Sequence, residues 1–88
     1  MSVKSLLEEL GYEDIIVFDD YGEETLIGVD SNNCAVYDYD KMIEWTMRNF
    51  DCTYEDAVDW IEYNTIRSLP YVGEGAPIVV YPIGKFIY

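Results

Sequence analysis

The pattern of apolar and polar positions predicts a helix at the start of the chain. Apolar residues recur at the i, i+3, i+4, i+7 spacing of one helical face, Ser2 can cap the helix, and Gly11 stops it. The apolar positions are Val3, Leu6, Leu7 and Leu10. SVKSLLEEL, residues 2–10, is therefore predicted to be helical.

Three short runs rich in β-branched and aromatic residues then predict three strands. They are IIVF (15–18), TLIGVD (25–30) and CAVYDY (34–39). The links between them, DDYGEE and DSNN, have turn-forming compositions, with Gly22 or an asparagine available for positive φ. We expect an antiparallel meander in which DDYGEE is the first hairpin turn.

The apolar period becomes helical at Asp40. DYDKMIEWTMRNF, residues 38–50, predicts a helix with a favourable i,i+4 pair between Glu44 and Arg48 on its surface. Its apolar stripe consists of Ile43, Met47 and Phe50, with Met42 beside it.

A third helix is predicted in TYEDAVDWIEYNTIRSLP, residues 53–70. Thr53 with Asp56 is close to a capping box, and Pro70 is expected to end the helix at the preceding residue. Its apolar face consists of Tyr54, Val58, Ile61, Thr65 and Leu69. IVVY, residues 78–81, is a fourth strand that Pro82 cuts short.

The elements combine into one domain, residues 1–88, of the α+β class. The predicted order is α-β-β-β-α-α-β, with helices packed on one face of an antiparallel sheet. IIVF and IVVY are apolar on both faces. The second face of the sheet is then covered by the N-terminal helix and the tail IGKFIY, or it meets a partner. Pairing of an edge strand with its copy would give a homodimer.

Charge narrows the choice of partner. The chain has 18 acidic and 5 basic residues and a net charge of −13. Such a surface repels nucleic acid and anionic lipid, and it attracts basic protein surfaces and divalent cations. We expect a protein partner with a basic surface, and neither nucleic-acid nor membrane binding. The simpler interpretation of the charge is solubility.

Other sequence features predict the location of the protein and the redox state of its cysteines. No apolar run approaches the length of about 18 residues that spans a membrane. Glu8 and Glu9 stand where a signal peptide keeps its apolar core, so we predict a cytoplasmic protein. Cys34 and Cys52 are interpreted as reduced, small hydrophobic residues. Histidine is absent from the sequence, which removes histidine-dependent triads and the common zinc sites.

No catalytic constellation is recognisable, and we predict a protein that is not an enzyme, with no cofactor. Cys52 precedes a helix N-terminus, but Asp51, Glu55 and Asp56 oppose a thiolate there and no histidine can act as base. GEGAP lacks the lysine of a phosphate-binding loop.

Four carboxylates crowd VFDDYGEET, residues 17–25. They are Asp19, Asp20, Glu23 and Glu24. Their phase does not match a calcium loop, so no specific metal ligands are assigned. Binding of a divalent cation remains an alternative function.

The acids of the third predicted helix form a stripe. Glu55, Asp59 and Glu62 stand at i, i+4, i+7 with no lysine beside them, although each like-charge pair costs a few tenths of a kcal/mol. Successive members rise by about 6 Å or less, comparable to the phosphate spacing of one nucleic-acid strand. The stripe, supported by the four acids of DDYGEE, could imitate DNA toward a basic protein. The alternative is a solvated helix face.

A neutral segment, YNTIRSLPY (63–71), offers a second candidate surface. With Trp60 beside it, the segment would form a patch that docks a partner or a small ligand, consisting of Trp60, Tyr63, Asn64, Arg67 and Tyr71. Thr65 is expected in the core, Asn64 is expected to bond a sheet or loop carbonyl, and Arg67 is expected to hold a neighbouring carboxylate.

The second half of the chain, YDKMIEWTMRNFDCTYEDAVDWIEYNTIRSLPYVGEGAPIVVYP, resembles a group of small uncharacterised acidic proteins of phages, prophages and bacteria. The likeness rests on Asp40, on EDAVDWI (55–61), on NTIRSLPY (64–71) and on API (76–78). No activity is attached to that group, so the resemblance implies only a context. Small acidic proteins of mobile elements often inhibit host proteins, sometimes by imitating DNA.

These observations predict a small acidic protein-binding module that engages a basic, nucleic-acid-binding host protein. The alternative from another class is a structural homodimer or an accessory subunit that uses an apolar sheet face.

Overall fold

A computed structural model describes residues 3–18 and 20–83 of the chain, and it has the α+β architecture that the sequence predicts. Short 3-10 helices lie at Glu23–Thr25 and Ile66–Tyr71. The other elements are α1 (Val3–Glu9), β1 (Leu26–Val29), β2 (Ala35–Asp38), α2 (Tyr39–Phe50), α3 (Tyr54–Asn64) and β3 (Ile78–Val80). The predicted cap at Ser2 and the tail after residue 83 lie outside the described residues.

The sheet has the strand order β1-β2-β3 and is mixed. The first two strands pair antiparallel, as predicted, with Val29 opposite Ala35. β3 pairs with β2 in parallel, with Val36 opposite Ile78, so the prediction of an antiparallel sheet is wrong for the last strand. Two helices separate β2 from β3, and a connection of that length allows the parallel pairing.

The hairpin between β1 and β2 forms as the sequence predicts. Asn33 has φ 61°, the left-handed conformation expected in the DSNN turn. The Asp30 carboxylate accepts bonds from the backbone N–H of Asn32 at 2.9 Å and of Cys34 at 2.8 Å. The turn is therefore closed by a side chain as well as by its backbone.

The predicted strand IIVF is wrong, because residues 15–18 run without strand pairing. The segment is nevertheless packed: Ile15 is buried, and Val17 and Phe18 pack against the core. The backbone N–H of Phe18 donates to the hydroxyl of Tyr37 at 3.0 Å. Its β-branched composition thus reflects burial and not a place in the sheet. Among the described residues the order is α-β-β-α-α-β.

Helix α2 begins at a side-chain cap and ends at a left-handed residue. The Asp38 carboxylate accepts from the backbone N–H of Lys41 at 3.0 Å, and Asp51 has φ 49°. The buried face is rotated from the predicted stripe, since Phe50 is 48% exposed. The residues it buries are Tyr39, Met42, Ile43 and Thr46.

Helix α3 has the predicted start and a different end. Thr53 Oγ1 accepts from the backbone N–H of Asp56 at 3.2 Å, which confirms the cap. The α-helix ends at Asn64, and Pro70 lies inside the following 3-10 helix, so the boundary predicted at Pro70 is wrong. The hydroxyl of Ser68 donates to the carbonyl of Thr65 at 2.8 Å and supports the tighter turn.

The core lies between β2 and the two long helices. It contains Ala35 and Tyr37 of the sheet and Met42, Ala57 and Ile61 of the helices. No helix in the described part of the chain is long and apolar enough to cross a membrane.

Candidate functional site

Tyr21 anchors DDYGEE to the core. The prediction of a first hairpin turn is wrong, because residues 15–18 form no strand, whereas the predicted exposure to solvent is confirmed for Asp20, Glu23 and Glu24. Tyr21 is only 7% exposed, and its hydroxyl lies 2.6 Å from Thr65 Oγ1. Its ring meets three other aromatic rings edge-on, with centroid distances of 5.8 Å to Phe18, 5.4 Å to Trp45 and 5.9 Å to Trp60. Burial raises the pKa of Tyr21 to about 12, with a smaller effect of Asp20 in the same direction and an opposing one from the Thr65 bond.

Gly22 serves close packing and not a left-handed bend. Its φ is −71°, which any residue can adopt. A Cβ there would lie 2.5 Å from Glu24 Oε2 and 2.7 Å from Trp45 Nε1. A glycine is therefore required because the indole of Trp45 approaches the backbone at this point.

The described acids of DDYGEE are Asp20, Glu23 and Glu24. Asp20 and Glu23 are exposed, and Glu24 accepts a bond from Arg48 at 2.7 Å. Arg48 thus pairs with Glu24 and not with Glu44 as predicted. Asp19 lies outside the described residues. Within residues 3–18 and 20–83, no group of three or more acidic or cysteine side chains is placed to hold a metal ion.

The acidic stripe of α3 divides into two parts. Glu55 and Asp59 are exposed, whereas Glu62 is half-buried and its Oε1 accepts a bond from the Tyr39 hydroxyl at 3.0 Å. Sequence reasoning missed Asp56, which is exposed on the same helix. A helical projection centred on the buried Ala57 and Ile61 places Asp56 on the outer face of α3.

Within residues 3–18 and 20–83, no acid of α3 forms an ion pair. The one ion pair among the described residues joins Arg48 to Glu24, on other elements. Arg67 follows α3, but its guanidinium lies 5.1 Å from the centroid of the Tyr63 ring. Helix α3 itself contains four acidic residues and no lysine or arginine. The outer face of α3 is therefore an uncompensated negative surface.

A cluster of tyrosines, which sequence reasoning missed, borders this surface at Glu62. The rings of Tyr39 and Tyr81 are 4.6 Å apart and inclined by 52°. Burial and then the Glu62 carboxylate raise the pKa of Tyr39 and that of Tyr81. Tyr54 makes the smallest contribution to the raised pKa of Tyr39. No periodic pattern in the sequence joins residues 39, 62 and 81, since different parts of the fold bring them together.

The residues of the predicted neutral patch differ in their exposure. Trp60 is half-buried, with its ring centroid 5.0 Å from that of Phe50, while Tyr63 and Tyr71 are exposed. Asn64 donates to the Trp60 carbonyl within its own helix at 2.9 Å, so its predicted bond to a sheet or loop is wrong.

Two neighbouring predictions have opposite outcomes. Arg67 contacts the Tyr63 ring and has no ion pair with a carboxylate among the described residues, which contradicts the prediction. The burial of Thr65 in the core is confirmed.

Both cysteines are free and half-buried. Burial, and then the charge and hydrogen bonding of Asp30, raise the pKa of the Cys34 thiol. A thiol with a raised pKa is a poor nucleophile. The comparisons with known proteins add no further candidate: no protein-family model, curated protein or solved structure matches this chain.

Proposed function

We propose that this chain is a small acidic binding module that engages a basic, nucleic-acid-binding protein through the outer face of α3. The observation that supports it most is the unpaired acidity of that helix. Its four acids are not offset by any cation of α3, and the described ion pair lies elsewhere. Repulsion between like charges at i,i+4 is a small but unrelieved cost, so a stability role does not account for it.

The spacing of these charges suits a partner that normally binds a phosphate backbone. Glu55 and Asp59 are one helical turn apart, a rise of about 6 Å. Asp56 widens the row, and the row ends one turn beyond Asp59, at Tyr63, where the Arg67 guanidinium lies 5.1 Å from the ring centroid. An acidic surface of this kind speeds the encounter with a basic partner and selects against acidic ones. In this proposal the protein is encoded by a phage or another mobile element and acts in the cytoplasm.

The acids play different parts in this proposal. Glu55, Asp59 and Asp56 contact the partner directly, because they are exposed. Asp20 and Glu23 add to the negative field, while the pairing of Glu24 with Arg48 reduces its contribution. Glu62 also belongs to the proposed interface, where its hydrogen bond with Tyr39 fixes the position of its carboxylate.

Charge reversal tests this proposal. Glu55→Lys with Asp59→Lys changes the net charge from −13 by four units. Glu8→Lys with Glu9→Lys makes the same change at two exposed acids of α1 and is the matched control. Each variant is used to capture proteins from host-cell lysate at two salt concentrations, with identification by mass spectrometry.

We expect the wild-type chain and the α1 variant to capture the same basic, nucleic-acid-binding protein. Capture should fall at the higher salt concentration and in the presence of competing DNA. The α3 variant should not capture it. Equal capture by the two double variants would contradict the assignment to α3.

A homodimer through the outer face of the sheet is the second candidate. Ala35 and Tyr37 face the core, so Val36 points to the opposite face, where the register places it beside Ile78. Ile27 of the neighbouring strand is 49% exposed. This candidate predicts a dimer mass in solution that Ile27→Lys converts to a monomer mass, whereas a monomeric wild-type chain would exclude it.

A further inference from the structure

Glu62 and two tyrosines form a small group, which we call the tyrosine seat: Tyr39, Tyr81 and the Glu62 carboxylate. Tyr39 is the first residue of α2, Glu62 belongs to α3, and Tyr81 is the residue after β3. The Tyr39 hydroxyl binds Glu62 Oε1 at 3.0 Å, and the rings of Tyr39 and Tyr81 are 4.6 Å apart. Three elements of the fold therefore converge on one carboxylate.

The seat is fixed on one side and open on the other. Tyr39 is buried, and its hydrogen bond holds the Glu62 carboxylate in place. Tyr81 is 55% exposed, so its ring is accessible. An ionised carboxylate has about four acceptor positions, and the bond from Tyr39 occupies one of them. Glu62 therefore retains the capacity to bind a further donor.

We propose that the tyrosine seat binds the cationic end of a lysine or arginine side chain from the basic partner. A cation near tyrosine faces is attracted by their negative π surface, and the Glu62 carboxylate adds a charge-assisted hydrogen bond. The carboxylate is already oriented by Tyr39, so little conformational freedom is lost on binding. The proposal rests on the proposed function, since it names the side chain that the partner inserts beside the acidic face.

Charge favours this occupant over others. An anion would meet both Glu62 and the field of a chain whose net charge is −13. The described ion pair and cation–π contact do not involve Glu62: Arg48 pairs with Glu24, and Arg67 lies over Tyr63. A cation from outside the described residues is therefore the complement that the seat accepts.

Titration with small cations tests the seat without any partner. The probes are Nα-acetyl-trimethyllysine amide and Nα-acetyl-arginine amide, followed by NMR of the probe and of the tyrosine ring protons. We expect an upfield shift of the N-methyl signal, because the methyl groups lie over aromatic rings, and saturable shifts of ring protons in the seat. The uncharged neopentyl analogue of trimethyllysine should bind at least about tenfold more weakly.

Three variants locate the binding. In Glu62→Gln the amide oxygen still accepts from Tyr39, so the fold is preserved while the charge is lost. Tyr81→Leu removes one ring of the seat without changing charge. Tyr71→Leu is the matched control, because Tyr71 is 89% exposed and outside the seat. The first two should weaken probe binding by about tenfold, and the third should leave it unchanged.

Several outcomes would overturn the proposal. Equal binding of the neutral analogue would show that the seat does not recognise charge, and equal binding by Tyr81→Leu and Tyr71→Leu would place the probe elsewhere. Lys85 lies four residues after Tyr81 in the sequence. If Lys85→Ala increases probe affinity, the seat is occupied by the chain's own lysine and not by a partner.

The seat and the acidic face can fail separately. Probe titration does not depend on Glu55 or Asp59. If Glu55→Lys with Asp59→Lys captures the partner as well as the α1 variant does, the assignment to α3 fails, but a positive titration still supports the seat. Conversely, absence of probe binding removes the seat while salt-sensitive capture through α3 still supports the proposed function.

Discussion

Replacement of Tyr21 is the most informative test of how this fold is held together. The sequence around Tyr21 predicts a solvated turn, for which Tyr21→Ala would have little effect. In the structure the side chain is 7% exposed and is bonded to Thr65. The two descriptions of the loop predict different free energies of unfolding.

The expected magnitudes follow from what each substitution removes. Removal of a buried aromatic side chain costs about 3–5 kcal/mol. A domain of 88 residues has a total stability of roughly 4–13 kcal/mol, so Tyr21→Ala should remove a large share of it. Tyr21→Phe keeps the ring and leaves the buried Thr65 hydroxyl without this partner, at a cost of about 1–3 kcal/mol.

The assay is urea unfolding, followed by tryptophan fluorescence and by far-UV circular dichroism. Trp45 and Trp60 both contact Tyr21 edge-on, so their emission reports on its surroundings. Circular dichroism follows the helical backbone and provides a second readout of unfolding. The double variant Tyr21→Phe with Thr65→Val should cost about 1 kcal/mol less than the sum of the two single variants, because no buried hydroxyl is left alone.

Tyr71→Ala is the control, since an exposed tyrosine should change stability by less than about 0.5 kcal/mol. A Tyr21→Ala variant that unfolds at the same urea concentration as this control would refute the role of Tyr21 as an anchor. Additive single variants at positions 21 and 65 would refute the energetic importance of their hydrogen bond while leaving the packing argument intact.

Two further predictions concern the same region. Gly22→Ala should lower the free energy of unfolding by about 1–3 kcal/mol, because its Cβ would lie 2.7 Å from Trp45 Nε1. Gly28→Ala is the control, since a Cβ there meets nothing within 4 Å. Equal unfolding midpoints of the two variants would disprove the importance of the contact with Trp45. At alkaline pH the wild-type chain should lose stability, because the folded-state pKa of Tyr21 is raised from 10.0 to about 12. The contribution of neutral Tyr21 is complete below pH 10 and is lost as pH rises through 12. Tyr21→Phe should show a smaller loss across this interval in urea midpoints measured at successive pH values, and an identical loss would contradict the assignment.

The parts of the fold that follow from local chemistry were predictable. Thr53 caps α3 and Asn33 closes the β1–β2 turn with positive φ, as their residue types indicate. The strand predicted at residues 15–18 failed because β-branched residues are favoured in any buried extended segment, whether or not it pairs. The parallel direction of β3 depends on the two-helix connection that precedes it, so the residues of β3 themselves do not predict it.

The candidate site was predictable to a similar extent. Periodicity finds Glu55 and Asp59 on an outer helix face, and the structure leaves both exposed. The same periodicity cannot show that Glu62 bonds a residue 23 positions earlier, Tyr39. The anchoring role of Tyr21 was hidden for the same reason, since the acids around it indicate water while its partner Thr65 lies 44 positions away.

The central position of β2 has a consequence for synthesis of the chain. β2 obtains its first neighbour from β1, a few residues earlier, but the second pairs Val36 with Ile78, far along the sequence. Contacts between residues distant in sequence form slowly, because the intervening chain must first be ordered. Until residues 78–80 leave the ribosome, one edge of β2 has unpaired backbone groups that another chain can bind. Residues 78–80 therefore complete the sheet and cover an edge of β2 at which aggregation could begin.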